Sequence, residues 1–276
     1  MSSCLIFHGP GAKAAAMQKA VSAGRLLAPP FGEDGLKTDD AREVVELLFS
    51  TPLGMDIGVI VVGPMDEANL KASDVLLKRI LVAPRAAYAI EALFDYGLLT
   101  ALLGCVPRVA RFDRLVAIEA GLALPPDAAL RLAALTIFVE EDVARLADRL
   151  RLSNAEQDVL ALAIRDRADC NLPDEGAAKA LLYRLGAVAY RSRMLLAWAD
   201  SDAAPDDTAW RSALTLPERW QAPAFPLRGD DIVALGVQGP DIGAALRGLE
   251  HDWIESDFAL TRDQLLAKAQ ELMTRS

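Results

Sequence analysis

FPLRGDDIVALGVQGPDIGAALRGL, residues 225–249, reads as two short helices, 230–235 and 241–249, joined by the turn Gly236-Val237-Gln238-Gly239-Pro240. Gly236 and Gly239 supply the positive φ that such a turn needs. Pro240 suits the start of the second helix, where its missing N–H is an orphan in any case. The turn directs free backbone N–H groups outward with Arg228 close by, which is chemistry suited to a phosphate. The same spacing also fits a plain αα-hairpin that holds no ligand. On either reading the segment is helical.

Helical periodicity dominates the chain outward from this hairpin. Apolar residues recur at helical spacing over 85–103, 109–120, 127–135, 140–150, 154–165, 175–185 and 187–198. Ser153 followed by Glu156 forms a capping box at the start of the fifth of these. An acidic loop follows at 200–207 and a proline-interrupted linker at 221–226, and helices over 232–249 and 261–273 close the chain. The first part differs. An apolar run at 5–7 precedes the turn Gly9-Pro10-Gly11, and Gly58-Val-Ile-Val-Val-Gly63 is a β-branched strand bounded by glycines. Helical stretches at 12–27, 39–49 and 68–80 alternate with these strands, with Asp39 and Asp40 placed to cap the second. The expected fold is therefore mostly α. A small N-terminal α/β, P-loop-like segment (1–80) leads into an all-α multi-helix body (81–199) and a helical tail (200–276).

Composition bounds the function. The chain has 276 residues, 53% apolar but only 6% aromatic, which points to an Ala- and Leu-rich helical core. No apolar run reaches the roughly 18 residues that span a bilayer, and MSSCLIFHGPG has neither the basic nor the apolar region of a secretory signal. Cys4, Cys105 and Cys170 are widely separated with no CxxC spacing, as expected of reduced thiols in a cytoplasmic protein without a metal site. A net charge of −10 argues against broad attachment to nucleic acid or membrane, but it leaves room for a local basic strip.

Arg108, Arg111 and Arg114 recur at three-residue steps, near one face of a helix, and form the best candidate strip for phosphate contact. Arg184, Arg191 and Arg193 are a second group. The alternative for any one arginine is a pair with a nearby carboxylate. His8 has no nucleophile placed with it, and His251 lies between Glu250 and Asp252 on a solvated face. Trp198, Trp210, Trp220 and Trp253 fit gaps between helices better than base stacking. Glu140-Glu141-Asp142 is an acidic first turn. No catalytic residue, cofactor site or metal site emerges from these patterns.

From about Leu77 onward the chain resembles the C-terminal region of bacterial CCA-adding enzymes (tRNA nucleotidyltransferases). The resemblance is carried by LLGCVPRVARFDRLVAIEA (102–120), ALRLAAL (129–135), VARLADRLRLSNAEQD (143–158), KALLYRLG (179–186) and FPLRGDDIVALGVQGPDIGAALRGLEHDWIESDF (225–258). In that family the region is the helical body and tail that hold the tRNA acceptor arm and elbow. The resemblance thus implies that Arg228, Gly229, Gly236, Gly239 and Gly243, with Arg108, Arg111, Arg114 and Arg184, face RNA. Family members precede this region with a head carrying a GGxVRD-type segment, a DxD pair for two metal ions and an EDxxR-type motif. Two-metal phosphoryl transfer needs those carboxylates, and residues 1–76 supply none of them, so tRNA binding without nucleotide addition is the expectation.

Residues 1–80 resemble the nucleotide-binding core of the clamp-loader ATPases of DNA polymerase III, the delta-prime subunit above all. GLKTDDAREVVELLFSTPLGMDIGVIVVGPMDEANLKASDVLLKRI (35–80) matches the run from helix to Walker B strand to the next helix, and CLIFHGPGAKAAA (4–16) would be the phosphate loop. That loop is degraded. Gly9, Gly11 and Lys13 remain as nucleotide-binding candidates, but Ala14 stands where a hydroxyl should hold Mg²⁺. Leu76-Leu77-Lys78-Arg79-Ile80-Leu81-Val82-Ala83-Pro84 fits a helix shared by both families, so the chain reads as a fusion of two modules. The second functional expectation is an assembly module that docks with clamp-loader subunits. The third is a chimera of the two fragments without evolved activity. An apolar face left uncovered by the short first segment would favour homo-oligomers.

Overall fold

The computed structural model describes residues 3–7, 58–62, 77–95, 98–164 and 172–275. The chain divides into two compact units. Unit 1 comprises Met1–Cys170 and Leu195–Asp206, and unit 2 comprises Asn171–Met194 and Asp207–Ser276. Unit 2 therefore takes in residues 171–194, which the sequence pattern groups with the body.

In unit 1, strand β1 (Ser3–Phe7) pairs in parallel with β2 (Gly58–Val62), with Leu5 opposite Ile60. Parallel pairing requires a long crossover. The residues that make it, 8–57, lie outside the described ones, and with them the loop residues Gly9, Gly11 and Lys13 and the helices expected at 12–27 and 39–49. Of the helix expected at 68–80, residues 77–80 are described and helical.

The helical part of unit 1 runs through α1 (Ala86–Asp95), α2 (Leu98–Leu103), α3 (Val109–Gly121), α4 (Ala128–Thr136), α5 (Glu141–Leu150) and α6 (Asn154–Ala161). The single helix expected over 85–103 is described as two, α1 and α2, with residues 96–97 outside the described set. Gly104, at φ 66, ends α2 by donating its N–H to Thr100 O at 2.9 Å. The last carbonyls of α2 and the one that follows are then capped from α5, by Arg149 Nε on Leu102 O (2.6 Å) and Arg145 Nη1 on Leu103 O (3.4 Å) and Gly104 O (2.7 Å). Asp127 caps α4 through Leu130 N at 2.8 Å. Ser153 and Glu156 form the expected capping box of α6, with Ser153 N donating to Glu156 Oε2 at 2.8 Å.

Helix α4 packs against α3 and α6, and every residue from Leu130 to Thr136 is buried. A helix enclosed on all sides must neutralise any charge it carries. Arg131 meets that demand with Glu119 of α3 (Nη2–Oε2 2.6 Å) and with Leu81 O (2.6 Å). On the same two helices Phe112, Leu115, Ile118, Leu132 and Leu135 are fully buried core residues.

Helix α7 (Glu175–Asp200) breaks at Gly186, where φ 74 and ψ 166 leave the helical region. The two helices expected at 175–185 and 187–198 meet there. The last residues of α7 belong to unit 1. They bury Trp198 completely, and its indole N–H donates to Ala204 O at 3.0 Å.

Unit 2 continues with α8 (Thr208–Leu214), α9 (Leu216–Arg219), α10 (Gly229–Val233), α11 (Asp241–Glu255) and α12 (Arg262–Arg275). Its core gathers Leu227, Ile232, Leu249, Trp253, Ile254, Leu265 and Ala269. Trp253 sits at the centre of an aromatic group, edge-on to Phe258 (4.9 Å) and Tyr183 (5.6 Å). Of the four tryptophans expected to fill gaps between helices, Trp198, Trp210 and Trp253 are buried, and Trp220 is half-buried with its ring 5.2 Å from that of Phe258. No helix among the described residues is long and apolar enough to cross a membrane.

Candidate nucleic-acid interface

The arginine strip of unit 1 is built by the start of α3. Pro107 precedes it, and Arg108 stands at its N-cap, anchored by donating its N–H to Leu135 O at 2.7 Å. Helical side chains lean back toward the N-terminus, so Arg111 and Arg114 reach over the first turn that Arg108 begins. All three line one cleft of about 460 Å³ together with Phe94, Pro107, Val109, Ala110, Ala199 and Asp200.

The three arginines are not equivalent. Asp200, at the end of α7, accepts from Arg108 Nη2 at 2.6 Å with one oxygen and from Arg111 Nη2 at 2.8 Å with the other. Arg111 is buried, only 4% exposed, and also donates to Ile137 O at 3.3 Å. It holds the cleft wall and presents no surface to a macromolecule. Arg108 lies over the Phe138 ring at 5.1 Å and remains partly open. Its Nη1 is buried with no hydrogen-bond partner among the described residues. Arg114 is the least committed. It touches Ala203 O at 3.4 Å and, at 3.7 Å, a fully solvated Asp202. The neighbouring Asp113 carboxyl is pushed above the usual range by burial and, secondarily, by the charge of Glu91.

The start of α3 adds donors of its own. No side chain caps it, and the N–H groups of Val109 and Ala110 have no hydrogen-bond partner among the described residues. Orphan amides at a helix start carry a partial positive charge.

In unit 2 the glycine-rich turn has the expected backbone. Gly236 (φ 94) and Gly239 (φ 61) lie in the left-handed region, both exposed, and Pro240 precedes the first turn of α11. The helix before the turn is short, Gly229–Val233, and the one after it longer than expected, Asp241–Glu255. A methyl group on Gly229 would sit 3.9 Å from Ile242 Cγ2, so the starts of α10 and α11 lie side by side. Gly243 is half-buried in the first turn of α11, near Arg247 Nη1. Arg228 is exposed at the start of α10. Asp231 returns to accept its backbone N–H (2.8 Å) and pairs with Arg262 at 2.5 Å. Those bonds hold the Asp231 carboxyl below its usual range. Arg228 and Arg262 thus stand close to Asp231, and the turn's amides are partly engaged, with Gly236 N donating to Val233 O (2.9 Å) and Ile242 N to Gly239 O (3.4 Å). Arg184 is exposed on α7, just before the break at Gly186, whereas Arg193 of the same group is buried and Arg191 pairs with Glu218 at 3.1 Å.

Among the described residues no group of three or more His, Cys, Asp or Glu side chains is arranged to hold a metal ion. Two neighbours of the strip lie outside its sequence pattern: Asp200, which the sequence places at the start of the acidic loop 200–207, and Phe94, an apolar position of α1.

This chain is similar to the CCA tRNA nucleotidyltransferase 1, mitochondrial, of Mus musculus and of Homo sapiens, with 24% identity over 203 residues to each. The match takes in 69% of this chain and 43% of each relative. The chain spans less than half their length. An uncharacterized 28 kDa protein in the petA 5′ region of Rhodospirillum rubrum is 37% identical over 79 residues, 26% of this chain and 31% of that protein. A solved CCA-adding enzyme in complex with CTP gives a TM-score of 0.45 at 13% identity, covering 93% of this chain and 65% of that one. No family model matches. The chain is thus related in sequence to tRNA nucleotidyltransferases. Most of residues 4–80, which carry the clamp-loader resemblance, lie outside the described set.

Proposed function

We propose that this chain is a tRNA-binding helical module, with residues 81–199 as body and 200–276 as tail. The observation that carries this reading is the similarity to CCA tRNA nucleotidyltransferase 1 over 203 residues. Arg184, Arg228, Gly229, Gly236, Gly239 and Gly243 supply contacts in unit 2. Arg108 and Arg114 supply them in unit 1, with Arg111 as a positioning residue. The exposed Arg184 and Arg228 and the half-buried Arg108 and Arg114 suit the phosphate backbone of a folded RNA. Binding, and no chemical step, is what these residues account for.

A chain with net charge −10 gains little from long-range attraction, so affinity must come from few, well-placed contacts. Filter binding at low salt tests this directly. Preference for tRNA over a random RNA of equal length supports the proposal, and equal retention of the two overturns it.

A further inference from the structure

We propose that Arg114 has two stations: the turn 200–204 is a built-in competitor that parks it in the free chain and yields it to a phosphate. This deepens the RNA-binding reading and rests on it for the identity of the ligand. One short segment supplies partners to all three arginines of the strip. Asp200 takes Arg108 and Arg111, one on each carboxylate oxygen. Ala203 O accepts from Arg114 Nη2 at 3.4 Å, and Asp202 Oδ1 stands 3.7 Å from Arg114 Nη1. A carboxylate beside a carbonyl oxygen offers a guanidinium what a phosphodiester offers, acceptor oxygens and one negative charge.

The turn is pinned on both sides of the groups that hold Arg114. Before them, Asp200 is buried by its two arginines. Buried Ser201 donates its hydroxyl to Trp198 O at 2.8 Å and accepts from Ala203 N at 3.3 Å. After them, Ala204 O accepts the indole N–H of the fully buried Trp198 at 3.0 Å. The contacts to Arg114 itself are of the opposite kind. Both are long, the Asp202 carboxylate is fully solvated, and the guanidinium side chain keeps 32% of its surface open. An exposed pair of that geometry is weak, and a phosphate in charge-assisted contact outcompetes it. On binding, therefore, the Arg114 side chain moves and the turn stays. Arg111 cannot follow, because it is locked with Asp200 in the interior. Asp202 thus sets how readily the strip gives up its one loosely held cation.

The test uses the full chain and two probes, tRNA by filter binding and inorganic polyphosphate by calorimetry. It compares Asp202→Asn with Asp206→Asn. Asp206 is exposed in the same acidic loop and pairs with no arginine among the described residues, so its variant removes the same charge without touching Arg114. Asp202→Asn should tighten both probes by about two- to fivefold, the worth of an exposed pair. It should also steepen the salt dependence by about one charge, because Arg114 then meets phosphate without leaving a carboxylate. Asp206→Asn should gain much less. In an Arg114→Gln background, Asp202→Asn should gain no more than Asp206→Asn. Equal gains from the two asparagine variants would assign the effect to net charge, and a gain that survives Arg114→Gln would assign it to another residue. Either result overturns the proposal, as does unchanged affinity for both probes in Asp202→Asn. The two readings fail separately. Equal retention of tRNA and random RNA, with an Arg114-dependent gain on polyphosphate, sinks only the tRNA reading. A tRNA preference with neither probe responding to Asp202→Asn sinks only the parked arginine.

Discussion

Asp200, at the end of α7, grips Arg111 of α3, its Oδ2 2.8 Å from Arg111 Nη2, with both side chains at least 95% buried. The same carboxylate holds Arg108 at 2.6 Å. Removing one partner of a buried pair leaves the other charge uncompensated, at a cost of about 3–5 kcal/mol. Asp200→Ala should therefore lower unfolding free energy by roughly that amount, read by denaturant titration. A loss below about 1 kcal/mol, typical of a surface pair, would show that the network is solvated.

Gly186 and Gly248 should respond to alanine in opposite directions. Gly186 lies at φ 74 and ψ 166, with no atom within 4 Å of an added Cβ. The cost of Gly186→Ala is therefore purely backbone strain, about 1–3 kcal/mol. Gly248 is exposed inside α11, equally unobstructed and without positive φ. There alanine should stabilise by about 0.5–1 kcal/mol. Thermal melts of the two variants decide, and a shift of the same sign in both would contradict the described break in α7.

Acid should weaken the start of α6. Partial burial pushes the Glu156 carboxyl up, but hydrogen bonds from Lys78, Ser153 N and Ser153 Oγ outweigh it and leave the group below its usual range. A depressed folded value contributes stability that is complete above the ordinary glutamate value, about 4.3, and is lost as pH falls through the folded value. Asp142 acts in the same direction: desolvation raises it, and the Val139 and Phe138 amides with Arg145 lower it further. Glu156→Gln should thus flatten the acid limb of a stability–pH curve, whereas an unchanged limb would contradict the assignment. Ser153→Ala should cost about 1 kcal/mol near neutral pH through the lost cap.

Local signals were legible in the sequence. Ser153 with Glu156, the glycines of the 236–239 turn and the break at Gly186 each act within a few residues, where side chain and backbone meet directly. Two helices were missed. The sequence pattern left 208–219 unassigned, although Asp207 caps α8 through Ala209 N (2.8 Å) and Trp210 N (3.0 Å). Both helices are too short to show a period. The arginine strip failed differently. Three-residue steps place Arg108, Arg111 and Arg114 on one side of α3, but spacing says nothing of a carboxylate such as Asp200, 92 residues beyond Arg108. That partner divides the strip into a buried anchor and two open contacts.

Contacts in unit 2 should be separable by affinity. Arg228→Gln and Arg184→Gln replace exposed cations and should each weaken tRNA binding by about three- to tenfold while leaving the melting temperature unchanged. Each should also reduce the steepness of the salt dependence by about one charge. Unaltered affinity in both variants would remove unit 2 from the interface.

Filter binding of the full chain to tRNA and to a random RNA of equal length, across a salt series, tests the central claim most directly. The proposal predicts preferential retention of tRNA, with log affinity falling against log salt at a slope of roughly −3 to −4 if Arg108, Arg114, Arg184 and Arg228 meet phosphate. Equal binding of the two RNAs at every salt concentration would contradict it.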